Sequence, residues 1–255
     1  MLIGMLNWIV CLGRMDVAFA VTSLSRFSAC PRKGHLARLL RIFGYLKKYK
    51  NRRIVVNSND PIVIGGANLP ELIKDQYPDA AEEIDCKVPK PLVNEMEITA
   101  FVDSDHAHDK YTRRSITGLL ILVGSTPVYF LSKRQGAIAT STYGAEFCAM
   151  KTAVEEVQSV RYMLRCLGVK VDHTSLVCGD NKRVIQNCTI PDSHLKKKHV
   201  AIAYHKTREA AAAGIVHPLK INSPNNLADI LTKAVTGKTF WSLYGKLTRS
   251  MNQGE

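Results

Sequence analysis

Five carboxylates fall where the flanking sequence would end or begin a structural element. They are Asp103 and Asp105 in "MEITAFVDSDHAHDK", Glu146 in "TYGAEF", Asp180 in "LVCGD" and Asp229 in "NNLADILTK". Carboxylates brought together repel one another and need a compensating cation. Hard oxygen donors select Mg2+ or Mn2+, which keep water ligands and bridge to phosphate. Two such ions about 3.5–4 Å apart can activate water and neutralise the leaving oxygen of a phosphodiester. Each acid alone has a plainer reading. Asp103 and Asp105 would be turn residues, and Glu146 a helix-dipole acid worth about 0.3–1 kcal/mol. Asp180 would be an N-cap and Asp229 a surface acid. The chemistry follows only if the elements between them carry them to one place.

Those elements are legible one by one. Ile98, Ala100 and Val102 alternate with Thr99 and Phe101, the period of a strand ending at Asp103. "SITGLLILVGSTPVYFLSKRQ" holds two apolar runs around Gly124-Ser125, a hairpin signal. A long helix is expected over 143–167, stopped by Gly168. Its residues Glu146, Met150, Ala153, Val157, Val160 and Leu164 share one face, which places Glu146 in the first turn beside an apolar stripe. Then come a strand at 175–178, a short helix from Asn181, a basic helix over 196–213, a strand at 215–221 and a helix over 227–234. Three strands as a meander followed by helix–strand–helix predict an α/β domain with a mixed sheet flanked by helices. Asp103 and Asp180 would then end neighbouring strands, at the crevice where α/β proteins bind ligands.

Upstream, residues 1–12 are apolar but too short for a bilayer, which takes about 20 residues. They lack a basic leader and a cleavage site and read as a core helix. So abrupt an apolar start is expected of a piece of something longer. Asp16 is expected to cap a helix ending before Pro31, and a second helix carries the stripe Leu36, Leu39, Leu40, Phe43 and Leu46. "RRIVVNS" reads as a short strand. Residues 57–93 have weak periodicity and read as a connector with few contacts to the α/β domain.

The net charge is +13, from 35 Lys and Arg against 22 Asp and Glu. Over 60–95 eight acids face three lysines, so the rest of the chain carries +18. Such a surplus suits a polyanionic partner. The candidates for phosphate contact are Arg113, Arg114, Lys133, Arg134, Lys196, Lys197 and Lys198, with Lys206 and Arg208 behind them. The plainer reading of these side chains is a solvated face. Seven cysteines without a C-x-x-C pair read as reduced thiols of an intracellular protein and not as a zinc site. The histidines at 106, 108, 199 and 205 make no convincing zinc set either; His194 and His199 are candidate proton shuttles.

At these residues the chain resembles the C-terminal ribonuclease H region of the Pol polyprotein of copia-type LTR retrotransposons. The resemblance rests on "DSD", "RRSITG", "SKRQ", "TYGAEF", "GDN", "HLKKKHV" and "LADILTK", seven short motifs in the family's order. It covers 96 to the C terminus, and "GMLNWIVCLGRMDVAFAVTSLSRF" through "GYLKKY" resembles the segment that joins the reverse transcriptase to that region. "FVDSD" does not match the reverse-transcriptase hairpin, which needs adjacent aspartates. The resemblance implies a ribonuclease-H-like α/β fold preceded by a small helical segment. The expected division is 1–56 a helical remnant of the reverse-transcriptase thumb or connection, 57–95 an acidic connector, 96–235 the ribonuclease H-like domain and 236–255 a tail helix. It implies that Asp103, Glu146, Asp180 and Asp229 are the catalytic and metal-binding acids, that Asp105 is not a core ligand, and that two Mg2+ (or Mn2+) ions serve as cofactors. The implied activity is hydrolysis of the RNA strand of RNA–DNA hybrids during reverse transcription. The implied partners are the hybrid and the reverse transcriptase portion of the same polyprotein, with no membrane. Two other readings stand beside it: an inactive nucleic-acid-binding remnant of a decayed element, and another nuclease or transferase of the same fold.

Overall fold

The structure, a computed structural model, describes residues 1–57, 74–190 and 201–250. At its centre is a five-stranded mixed sheet. Strands β2 (Ile98–Asp105), β3 (Ile116–Val123) and β4 (Thr126–Arg134) form an antiparallel meander. Gly124 turns the β3–β4 hairpin at φ 59°, a conformation glycine adopts without a Cβ penalty. β5 (Ser175–Gly179) lies parallel to β2, and β6 (Val216–Lys220) parallel to β5, giving the order β4-β3-β2-β5-β6. The mixed sheet flanked by helices, preceded by a helical segment, is the architecture the sequence implies.

β2 and β3 are buried on both faces, so both alternating sets of their side chains are core. Ala100, Val102, Leu119 and Ile121 pack under α4 (Thr142–Cys166), α5 (Lys182–Thr189) and α6 (Ala201–Ala212). Phe101, Leu120 and Leu122 face the opposite layer, made by α7 (Asp229–Thr232) and α8 (Gly237–Tyr244). Asp103, two residues after Phe101, shares this second face. α4 has its N-cap at Ser141 and ends before Gly168, whose φ of +77° is one that residues other than glycine rarely adopt.

Several local expectations change. Asp16 caps no helix: its carboxylate is held by Arg14 at 2.7 Å, residues Met15–Val17 form a 3-10 turn, and α2 spans only Ala18–Ser25. In α1 (Leu2–Cys11) Leu6 alone is buried, so this is an edge helix and not a core helix. In α3 (Lys33–Lys48) Leu39 and Ile42 are buried, while Leu36 and Leu40 face solvent. The expected helix over 227–234 shrinks to the single turn of α7. After α8 the chain forms β7 (Thr248–Ser250), not more helix, and pairs with β1 (Arg52–Ile54).

The connector also differs from its expectation. Described residues 74–95 are tied to the far side of the sheet domain. Glu82 receives paired hydrogen bonds from both Arg161 and Arg165, at 2.7–2.8 Å. Leu92 N–H donates to the Gly168 carbonyl at 2.7 Å, and Val93 bridges to Val169. Glu95 accepts from the Asp172 N–H at 2.8 Å. Weak periodicity predicted a loose segment because these anchors are isolated carboxylates and backbone contacts, which leave no repeating pattern. All seven cysteines are free thiols. Among the described residues no helix is long and apolar enough to cross a membrane.

Candidate active site

β2 and β5 run parallel, and Phe101 pairs with Cys178. Two residues further along each strand stand Asp103 and Asp180, side by side at the C-terminal end of the sheet. Asp180 does not cap α5; Asn181 does, accepting from the Arg183 and Val184 amides. The Asp180 carboxylate therefore remains available. Glu146 arrives from the other side as the fifth residue of α4, one position later in the helix than expected. One carboxylate oxygen from each of Asp103, Glu146 and Asp180 lies within 4.8 Å of the others. Such a set of oxygen donors can hold a divalent metal ion.

The electrostatics fit a cation. Burial first, then the charges of Asp103 and Asp180, push the Glu146 carboxyl up to about 9. Without a cation the site therefore keeps a proton on Glu146 at neutral pH. Asp229 lies slightly apart, on the α7 side. Burial and the Asp103 charge raise its carboxyl to about 6. It joins the others through Lys233, whose ammonium is 3.0 Å from Asp229 Oδ1 and 3.5 Å from Asp103 Oδ2. Burial alone would lower the Lys233 ammonium, but Asp103 and Asp229 raise it. The four expected acids thus converge as a close triad plus a lysine-bridged fourth. Asp105 points elsewhere and pairs with His108 at 2.6 Å.

Residues that positional reasoning on the acids passed over hold this arrangement. Gln135, just after β4, donates to the Ala145 carbonyl at 2.9 Å and to Thr117 Oγ1 at 3.0 Å, which ties the turn carrying Glu146 to the sheet. Asn226, fully buried, donates to the Val102 carbonyl at 3.0 Å and accepts from the Ala228 amide at 3.1 Å, which fixes the approach to α7. Thr232 donates to Asp103 Oδ2. The signal was present in the letters: Gln135 lies in "SKRQ", and Thr232 and Lys233 lie in "LADILTK".

Gly118, the last residue of "RRSITG", has a steric reason to be glycine. It pairs across the strands with Asp103, and a Cβ there would lie 2.5 Å from Thr232 Cγ2 and 2.9 Å from the Ala228 carbonyl. Gly118→Ala should therefore push α7 off the sheet, at a cost of about 1–3 kcal/mol from overpacking. A lower urea midpoint together with weaker Mn2+ binding is the expected result. An unchanged midpoint would mean that α7 does not seat against β3.

The basic candidates divide. Asp105 and Arg134 both pair with Ile116 of β3. Arg113, Arg114, Lys133 and Arg134 are therefore at the same end of the sheet as the acids. Lys133 and Arg113 are exposed, and Arg134 shares buried Asp109 with Arg26, at 3.6 and 3.2 Å. Arg208 is buried and donates to the Asn187 and Ile190 carbonyls, so it is structural. Lys196, Lys197, Lys198, His194 and His199 lie outside the described residues.

No protein-family model matches the chain. Among curated proteins, it is 26% identical over 234 residues to the retrovirus-related Pol polyprotein from transposon RE1 of Arabidopsis thaliana, covering 92% of this chain and 14% of that protein. It is 26% identical over 238 residues to the corresponding polyprotein from transposon TNT 1-94 of Nicotiana tabacum, covering 93% of this chain and 15% of that one. Among solved structures it is similar to the N-terminal RNase H domain of a Mycobacterium tuberculosis protein fused to maltose-binding protein, at 13% identity over 59% of this chain and 98% of that one, TM-score 0.40. It is also similar to LC11-RNase H1 in complex with RNA/DNA hybrid, at 16% identity over 53% of this chain and 94% of that one, TM-score 0.44. The chain is similar to the retrovirus-related Pol polyproteins of plant transposons and spans about one seventh of the length of those it matches.

Proposed function

We propose that this chain is the ribonuclease H portion of a copia-type retrotransposon Pol polyprotein and hydrolyses the RNA strand of RNA–DNA hybrids. The observation that carries the reading is the triad of Asp103, Glu146 and Asp180 within 4.8 Å, at a sheet end that also bears Arg113, Arg114, Lys133 and Arg134. Asp103, Glu146 and Asp180 would hold Mg2+ (or Mn2+), with Asp229 serving a second ion. When bound, two such ions supply an activated water and a neutralised leaving oxygen. Glu146 would give up the proton that burial, and then the charges of Asp103 and Asp180, otherwise keep on it. Arg113 and Lys133 contact backbone phosphates, which orients the hybrid without reading its sequence. His194 or His199 carries a proton to or from the reacting oxygen. Residues 1–56 are the end of the reverse-transcriptase connection, and the reverse transcriptase portion of the same polyprotein is a partner.

The test is cleavage of a labelled RNA–DNA hybrid with and without Mg2+, against matching RNA and DNA duplexes. Hybrid-selective, chelator-sensitive cleavage is the expected result. Tight hybrid binding with no cleavage in Mg2+ would instead favour the inactive remnant. The lysine run adds a second readout. Each lost phosphate contact should reduce the magnitude of the log-affinity against log-salt slope by about 0.7–0.9. Replacing Lys196, Lys197 and Lys198 together with glutamine should therefore weaken hybrid binding and flatten its salt dependence. An unchanged slope would mark the run as a solvated face.

A further inference from the structure

The acid end of the sheet already contains a cation. Lys233 places its ammonium between Asp229 and Asp103, at 3.0 and 3.5 Å, on a side chain that is 42% exposed. Thr232, one residue earlier, donates to the same oxygen, Asp103 Oδ2. One edge of Asp103 is therefore committed to α7, by a hydroxyl and by a positive charge. Glu146 and Asp180 form no ion pair among the described residues. The site has two unlike halves. Glu146 and Asp180 bring oxygen donors with no ammonium paired to them, whereas Asp103 and Asp229 already share one ammonium between two carboxylates.

We propose that Lys233 is a built-in counter-cation that must be displaced before a divalent ion can bridge Asp103 and Asp229. The inference rests on the reading of these acids as a metal-dependent hydrolytic site. Its consequence is unequal loading: the triad takes its ion without displacing an ammonium, and the second position competes with a tethered charge. A lysine stem is flexible and its ammonium is a compact point charge. A displaced Lys233, half in solvent, has a backbone phosphate as its natural new partner. Lys233 thereby couples completion of the metal site to the arrival of a phosphodiester.

The experiment is Mn2+ titration by calorimetry on the whole chain without nucleic acid, paired with thermal unfolding in chelator and in Mn2+. The wild type should take up one ion well before a second. Lys233→Gln should bind the second ion about tenfold more tightly, the scale on which one neighbouring charge moves another group's equilibrium. The same variant should unfold at a lower temperature in chelator, because Asp103 and Asp229 then repel without a counter-charge. It should regain more than the wild type on adding Mn2+. Lys233→Arg, which keeps the charge, should behave as the wild type. Equal stoichiometry and affinity in the wild type and Lys233→Gln would overturn the role of Lys233 while leaving the metal site standing. So would an arginine variant that behaves like the glutamine one. Failure of either protein to bind Mn2+, with cleavage indifferent to chelator, would overturn the hydrolytic reading along with it.

Discussion

Asp103→Asn is expected to slow hybrid cleavage by about a thousandfold, while hybrid binding persists or tightens. Metal-ion catalysis supplies several kcal/mol of charge stabilisation, and each 1.4 kcal/mol is about tenfold in rate. Asp103 is the one acid common to both halves of the site. It belongs to the triad that lies within 4.8 Å, and its Oδ2 also faces Thr232 and Lys233. The amide keeps the shape, and its oxygen can still accept from Thr232, so the fold should survive. What is lost is the charge that makes a cation favourable. Removing that charge also removes one of the two neighbours that raise Glu146, so the Glu146 carboxyl should fall from about 9 toward the ordinary range. A nucleic-acid phosphate should then meet less negative charge at the sheet end, which is why binding should not suffer. The measurements are single-turnover cleavage and hybrid affinity on the same preparation. Normal cleavage by the variant would remove Asp103 from the catalytic set.

The second large effect lies on the far side of the molecule. Glu82→Ala should destabilise the protein by about 3–5 kcal/mol, the cost of stranding a buried charge. Arg161 is 1% exposed, and its guanidinium is matched by Glu82, the His173 carbonyl and Ser175. Against a typical total of about 5–15 kcal/mol, that loss is severe. The pH dependence follows from the same contact. Burial would raise the Glu82 carboxyl, but hydrogen bonds from Arg161 and Arg165 bring it down to about 2 from an ordinary 4.5. A depressed folded value means that the stabilisation is complete above about pH 4.5 and disappears as the pH falls toward 2. The linkage contribution is roughly 3 kcal/mol at most. Urea unfolding of the wild type and Glu82→Gln at pH 7 and at pH 3 should therefore show a gap that narrows in acid. A gap independent of pH would mean that the contact matters for packing and not for its charge. Limited proteolysis of Glu82→Ala should also cut within 74–95 earlier than in the wild type.

These two predictions bear differently on what could be read from the letters. The acids at 103, 146, 180 and 229 were legible because each sits at an element boundary marked by a local signal. Those signals are a strand period ending in acid, a helix stripe, a Gly-Asp-Asn corner and a short apolar helix. The strands, the β3–β4 hairpin and the long α4 were legible for the same reason: their patterns repeat within a few residues. The strap was not. Glu82 reaches Arg161 and Arg165 across about 80 residues of chain, and no local period records such a pairing.

The sequence by itself determined the kinds of element, the order of the strand-end acids and the excess of positive charge outside 60–95. Only the tertiary structure decided which acids form the close triad and which is bridged by an ammonium. That division depends on the face of β2 from which Asp103 emerges and on how near α7 can come. Phe101 and Asp103 point to the α7 side, and a glycine at 118 lets Thr232 and Lys233 approach that face. Glu146 must then reach over the sheet end from the opposite layer. A one-residue change in strand phase would turn Asp103 toward α4. The pattern of letters cannot exclude that shift, because β2 and β3 are buried on both faces and so carry no polar stripe to mark one side as outer.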